Sequence, residues 1–290
     1  MDAQSYLLLS QLQVVSYIKA GFLALFAYDT LLQLEQECLY IWQARWTLIK
    51  CLYLWTRYSP FVALVISVAH SIHPNLSCES SIFATIYSGF GIGLTELILM
   101  VRTYTLYERS KRLLLFFFLL WFSVAGVSFW AVTKWTDKFS STTAGTSLFA
   151  SCYFSSSTII GIGLVCYLSL LVGEIVVISL TLWRFYRQFS KNTSGLFTSL
   201  YRDGILYYLA IPPFTIATII ILFTAPPGLS DIADTPVYVM HSVLVCRLIN
   251  HAREKAAEED ARAATLANLE EVKFRLGSNS VIDIRPDCNV

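Results

Sequence analysis

The sequence predicts an all-α integral membrane protein: a bundle of seven transmembrane helices followed by a cytosolic C-terminal helix. Three observations point there. Seven stretches are long and predominantly apolar, and lipid forces such stretches to satisfy their backbone hydrogen bonds internally, as helices. Charged residues make up only 14% of the 290-residue chain, against roughly 25% in soluble domains. Lysine and arginine, finally, gather in alternate loops.

The predicted spans are residues 12–34, 51–70, 81–105, 113–133, 156–183, 204–224 and 232–249. Each except the last reaches the ~20 residues that cross ~30 Å of hydrocarbon at 1.5 Å per residue. The fifth is long enough to tilt or project, and the seventh is weakest because Asp234 and Pro236 interrupt its start. No lysine or arginine precedes the first span, so it reads as an uncleaved signal-anchor.

Orientation follows from the loops. Arg45 and Lys50 lie in the first, Arg102, Arg109, Lys111 and Arg112 in or beside the third, and Arg184, Arg187, Lys191 and Arg202 in the fifth. The even-numbered loops hold only Lys134 and Lys138. The positive-inside rule therefore places the N-terminus outside and the odd loops and tail in the cytosol, with the plasma membrane as the default residence.

Two features agree with that orientation. Asn75-Leu76-Ser77 is a glycosylation sequon in the second loop, on the outer side, although sequons this near a membrane often go unused. Cys78 and Cys152 both fall outside, where disulfides persist; a bridge between them would tie span three to the fourth loop, the alternative being two unpaired thiols. Tryptophans such as Trp55, Trp130, Trp135 and Trp183 suit an interfacial belt.

Residues 1–249 thus form the membrane domain. Residues 250–276 are rich in Ala, Glu, Arg and Lys, which predicts a cytosolic helix lying on the membrane or binding a cytosolic partner; residues 277–290 read as disordered.

One segment carries a resemblance. The pieces are Tyr28-Asp29-Thr30-Leu31-Leu32, Glu37, Ile41-Trp42, Trp46, Leu52-Tyr53, and Arg57-Tyr58 followed by Pro60. The segment, within residues 28–70, resembles the N-terminal signature of a large fungal, mainly basidiomycete, family of multispan membrane proteins known only by a domain of unknown function. Arg102-Thr103-Tyr104-Thr105-Leu106-Tyr107 is similar to a stretch common after span three in that family, with Thr105 in place of the usual alanine. The resemblance implies a multispan helical architecture and assigns no activity, cofactor or catalytic residue.

Ionisable residues within spans are costly and are candidates for function. Asp29, Arg57, Glu96 and Glu174 all count to a similar depth, roughly 8–14 Å from the cytosolic edge at 1.5 Å per residue. They are read as one intramembrane ionic cluster, with Arg57 pairing Asp29 or Glu96 through its planar fork. Two roles stand side by side: a static polar lock that specifies packing, and a switch between two arrangements.

Toward the outer side, His70, Tyr87, Trp130 and His241 are candidates to line a small pocket, with ordinary packing as the alternative. His70-x-x-His73 has a spacing that some metal sites use, but two histidines without carboxylate support do not define one, so neither metal nor cofactor is expected.

His-Glu-x-x-His, Gly-x-Ser-x-Gly and phosphate-loop signatures are absent, which argues against an enzyme. No lysine lies between Lys191 and Lys255, which argues against a retinal photoreceptor. A net charge of +1 gives no pull toward nucleic acid. The leading expectation is a seven-span sensor or receptor-like protein with an unknown ligand, though Arg102-Thr103-Tyr104 and Pro212-Pro213 depart from the G-protein-coupled receptor motifs. The alternatives are a transporter or channel using the intramembrane acids, and a scaffold acting through its tail.

Overall fold

Apolar runs that must close their own hydrogen bonds become helices, and every regular element described in the computed structural model is helical. The described residues are 3–72, 78–108, 110–143, 157–189, 204–225, 229 and 232–279. The helices are α1 (Ala3–Glu37), α2 (Leu48–Ile72), α3 (Cys78–Leu106), α4 (Lys111–Thr143), α5 (Ser157–Phe189), α6 (Pro212–Thr224) and α7 (Asp234–Asn279). Helical residues 204–210 lead into α6.

Six segments are long and apolar enough to cross a membrane: Gln13–Trp42, Leu48–His70, Ile82–Leu106, Lys111–Lys134, Gly161–Arg187 and Gly204–Thr224. The chain is therefore an integral multi-pass protein embedded in a bilayer. On α4, Leu115, Leu119, Phe122 and Phe129 fall on one helical stripe and are left uncovered by protein, a face made for acyl chains.

The seventh predicted span, 232–249, does not qualify by length and hydropathy. Its residues are instead the start of α7, which packs on α1, α2, α3 and α6. From Asp234 to Asn250, Arg247 is the one exposed residue. A helix shielded by neighbouring helices needs no apolar coat, and this stretch carries Thr235, His241, Ser242 and Asn250 buried in its interior-facing surface. Low hydropathy here records protein contact on most sides.

The predicted tail helix at 250–276 is not a separate element. Span-like and tail residues form one 46-residue helix, about 69 Å long at 1.5 Å per residue. Residues 277–279, expected to be disordered, are the last residues of α7, and residues 280–290 lie outside the described residues.

Prolines shape two helices. Pro60 sits inside α2 and has no N–H for the carbonyl of Thr56, four residues back. That carbonyl accepts a hydrogen bond from Ser242 Oγ of α7 at 2.6 Å. Ser242→Ala should therefore cost about 1 kcal/mol, read as a lower Tm in nanodiscs. In a Pro60→Ala background the same change should cost less, because the restored N–H serves Thr56; equal costs in both backgrounds would refute the exchange. In the sixth segment the helix breaks at Ile211, and Pro212 opens α6.

Between α1 and α2 the chain makes a π-helical turn, Cys38–Trp42. Lys50 closes it: its buried ammonium donates to the carbonyls of Trp42 at 2.9 Å and Ala44 at 2.8 Å. The apolar core continues from this turn, with Ile41 and Tyr53 packed beside Ile98, Val245, Cys246 and Ile249.

Candidate functional site

The acids and bases predicted to form one cluster separate into two centres, both built on α7. The first surrounds Arg57, which is fully buried. Its Nη1 pairs with Asp29 Oδ2 at 2.8 Å, and its Nε stands 2.5 Å from Glu37 Oε1. Nη2 donates to the carbonyls of Asp29 and Thr30 at 3.2 and 3.4 Å.

Asp29 is used on its other side as well. Arg247 of α7 donates to Oδ1 from Nη2 at 2.7 Å and from Nε at 2.9 Å. Gln33 donates to both carboxylate oxygens and accepts from Asn250 Nδ2 at 2.9 Å. Tyr58 donates to Glu37 Oε2 at 3.0 Å. Two carboxylates and two guanidiniums thus form a charge-balanced network joining α1, α2 and α7, which is how buried charge becomes tolerable.

Glu37 and Arg247 were not anticipated. Glu37 lies past the predicted end of span one at residue 34, but α1 continues to it and turns it inward. Arg247 is the only arginine within predicted span seven, and that position was the available signal.

Glu96 does not reach Arg57. It meets Glu174 across His241, so the predicted single cluster is divided. His241 Nε2 stands 3.2 Å from Glu174 Oε1, and Nδ1 stands 3.6 Å from Glu96 Oε1. Thr215, on the first turns of α6, donates to Glu174 Oε1 at 2.6 Å and lies 3.4 Å from His241 Nε2. All four side chains are buried.

Among the described residues neither oxygen of Glu96 has a hydrogen-bond partner, nor has Glu174 Oε2. Among the described residues no lysine or arginine pairs with either glutamate. One ligand atom from each of Glu96, Glu174 and His241 falls within 4.8 Å of the others.

The predicted outer pocket is likewise dispersed. His70 borders a crevice of about 40 Å³ together with Lys19, Ser88, Asp234 and Tyr238. Tyr87 instead packs on Phe83 and Trp55, and Trp130 is half exposed on α4. His241 is deep in the second polar centre, because it sits about two turns into α7. Asn75 and Cys152 lie outside the described residues, as does the side chain of Cys78.

A larger cavity of about 480 Å³ opens at the opposite end of α3, between Arg102, Thr105, Tyr208, Ile249, His251 and Arg253. Tyr208 belongs to the segment below the break at Ile211.

Helical spans around buried polar centres define a multispan helical membrane protein. Within it, residues 17–62 match the model of a family of unknown function (DUF6533), a segment that contains Asp29, Glu37 and Arg57. No curated protein matches the chain.

Proposed function

We propose that this protein is a seven-span membrane sensor of receptor-like layout, not an enzyme. Its N-terminus lies outside, the Asp234–Asn250 part of α7 makes the seventh crossing, and the rest of α7 stands in the cytosol. Burial of that part among membrane spans supports the crossing, and the basic odd-numbered loops support the direction.

The single observation that carries the sensor reading is that both polar centres are anchored on α7. His241 and Arg247 are six residues apart, about 9 Å along the helix, and α7 then continues without a break to Asn279. A change of state at His241 reaches the exposed half of α7 through one continuous element. The break at Ile211 supplies a second moving part, placed between Thr215 at the polar centre and Tyr208 at the inner cavity. The signature residues quoted from the sequence, Asp29, Glu37, Arg57 and Tyr58, all join the charge-balanced network, which fits a fixed frame.

A transporter is the second reading, favoured by two buried glutamates that meet only His241, and no lysine or arginine, among the described residues. Reporter tags at the two termini test the first reading in intact and permeabilised cells: the N-terminal tag should be reached from outside and the C-terminal tag only after permeabilisation. Termini on one side would overturn the seven-span layout. In proteoliposomes no proton or divalent-cation flux is expected; flux above empty liposomes would replace the sensor by the transporter.

A further inference from the structure

We infer that Glu96, Glu174 and His241 form a binding site for a divalent first-row transition metal ion, with zinc as the natural probe. The argument begins with charge. Two carboxylates from α3 and α5 face one imidazole from α7 in the protein interior. Buried carboxylates demand neutralisation by a paired cation or by protons. The first polar centre shows how this chain answers that demand with guanidiniums, and the second has none. A divalent ion with two carboxylates and a neutral imidazole makes a neutral complex.

Ligand chemistry selects the class of ion. One imidazole nitrogen and two carboxylate oxygens suit zinc and its first-row neighbours better than calcium or magnesium, which favour all-oxygen shells. The unpartnered oxygens of Glu96 and Glu174 are the donor atoms that hydrogen bonding has left unused. Ligands at ~2 Å from a metal stand no more than ~4 Å apart. The present spread of up to 4.8 Å therefore closes by short side-chain rotations. Thr215, bonded to Glu174, orients that carboxylate from outside the ligand set.

The small crevice near His70 lies on the same face of α7 as the site. Asp234, Tyr238 and His241 follow one another at i, i+4 and i+7, on one face of α7. The first two border the small crevice with Ser88 of α3, and Glu96 lies two turns further along α3 from Ser88. Tyr238, pinned by Ser59 at 2.7 Å, stands between crevice and site. Zinc uptake does not depend on the sensor reading, so the tag and flux results leave this inference untouched, and the reverse holds.

The test uses the full-length protein in lipid nanodiscs, stripped with a chelator and dialysed against zinc, with elemental analysis of the retained metal. Wild type should hold one zinc ion more per chain than Glu96→Gln or Glu174→Gln, whose affinity should fall at least ten-fold. A hundred-fold excess of magnesium should not displace it. Both variants remove a buried charge while keeping shape, so their metal-free Tm should stay at or above wild type. Wild type loaded with Co²⁺ gives an independent reading: visible d–d absorption of a nitrogen- and oxygen-ligated ion, abolished by zinc. Equal zinc retention in wild type and both glutamine variants, or no Co²⁺ band in wild type, would overturn the site and leave protons as the neutralising cations.

Discussion

Arg57→Ala is expected to lose about 3–5 kcal/mol of stability, the range for removing one partner of a buried ion pair, and to reduce folded protein at the membrane sharply. Arg57 pairs with Asp29 and Glu37 at once, so its loss leaves Glu37 with a tyrosine alone and takes one of the two guanidiniums from Asp29. It also removes the donor to the carbonyls of Asp29 and Thr30. Arg247→Ala should cost less, because its side chain is 44% exposed and Asp29 keeps Arg57. Arg57→Met combined with Asp29→Asn and Glu37→Gln should recover much of the loss by removing the stranded charges. Thermal unfolding in nanodiscs and membrane abundance measure both effects. Near-wild-type values for Arg57→Ala would show that the network does not support the fold.

Gly91→Leu should cost about 3 kcal/mol, the upper part of the usual overpacking range. A Cβ at Gly91 on α3 would meet the ring of Tyr238 at 2.5 Å, well inside contact distance. Tyr238 is the far end of a side chain, yet it has little freedom, being buried and hydrogen-bonded to Ser59. Relief therefore requires α3 and α7 to part or the tyrosine to abandon its bond. In a Tyr238→Ala background the added cost of Gly91→Leu should largely vanish, and a double-mutant cycle on Tm reads that coupling directly. Additive costs would place the strain elsewhere.

How much of this was legible in the sequence depends on what each residue faces. Runs that face lipid, such as 113–133 and 204–224, announce themselves because acyl chains demand apolar side chains along the whole surface. The seventh predicted run was faint for the opposite reason: from Val237 to Asn250 it packs on protein at every position but Arg247, so polar side chains such as Ser242, bonded to the Thr56 carbonyl, and Asn250, donating to Gln33, replace apolar ones.

Asp29 and Arg57 stood out as charges in apolar surroundings, and their pairing is one of the two alternatives the residue types allowed. Glu37 was hidden because an apolar run marks where hydrophobic residues stop, which in α1 is one turn before the helix does. The meeting of Glu96, Glu174 and His241 was beyond reach of spacing, since the three come from three helices and nothing in one helix's periodicity fixes its rotation against another. His241 was grouped with His70 as an outer-side histidine, whereas it meets Glu96 and Glu174 instead and His70 borders the crevice.

The unbroken length of α7 has a mechanical consequence. From Glu259, where its side chains become exposed, to Asn279 the rod extends about 30 Å at 1.5 Å per residue. On the sensor reading proposed above, a pivot of only ~5° among the spans would sweep its tip sideways by about 3 Å, and the helix would act as a lever that magnifies small adjustments near His241.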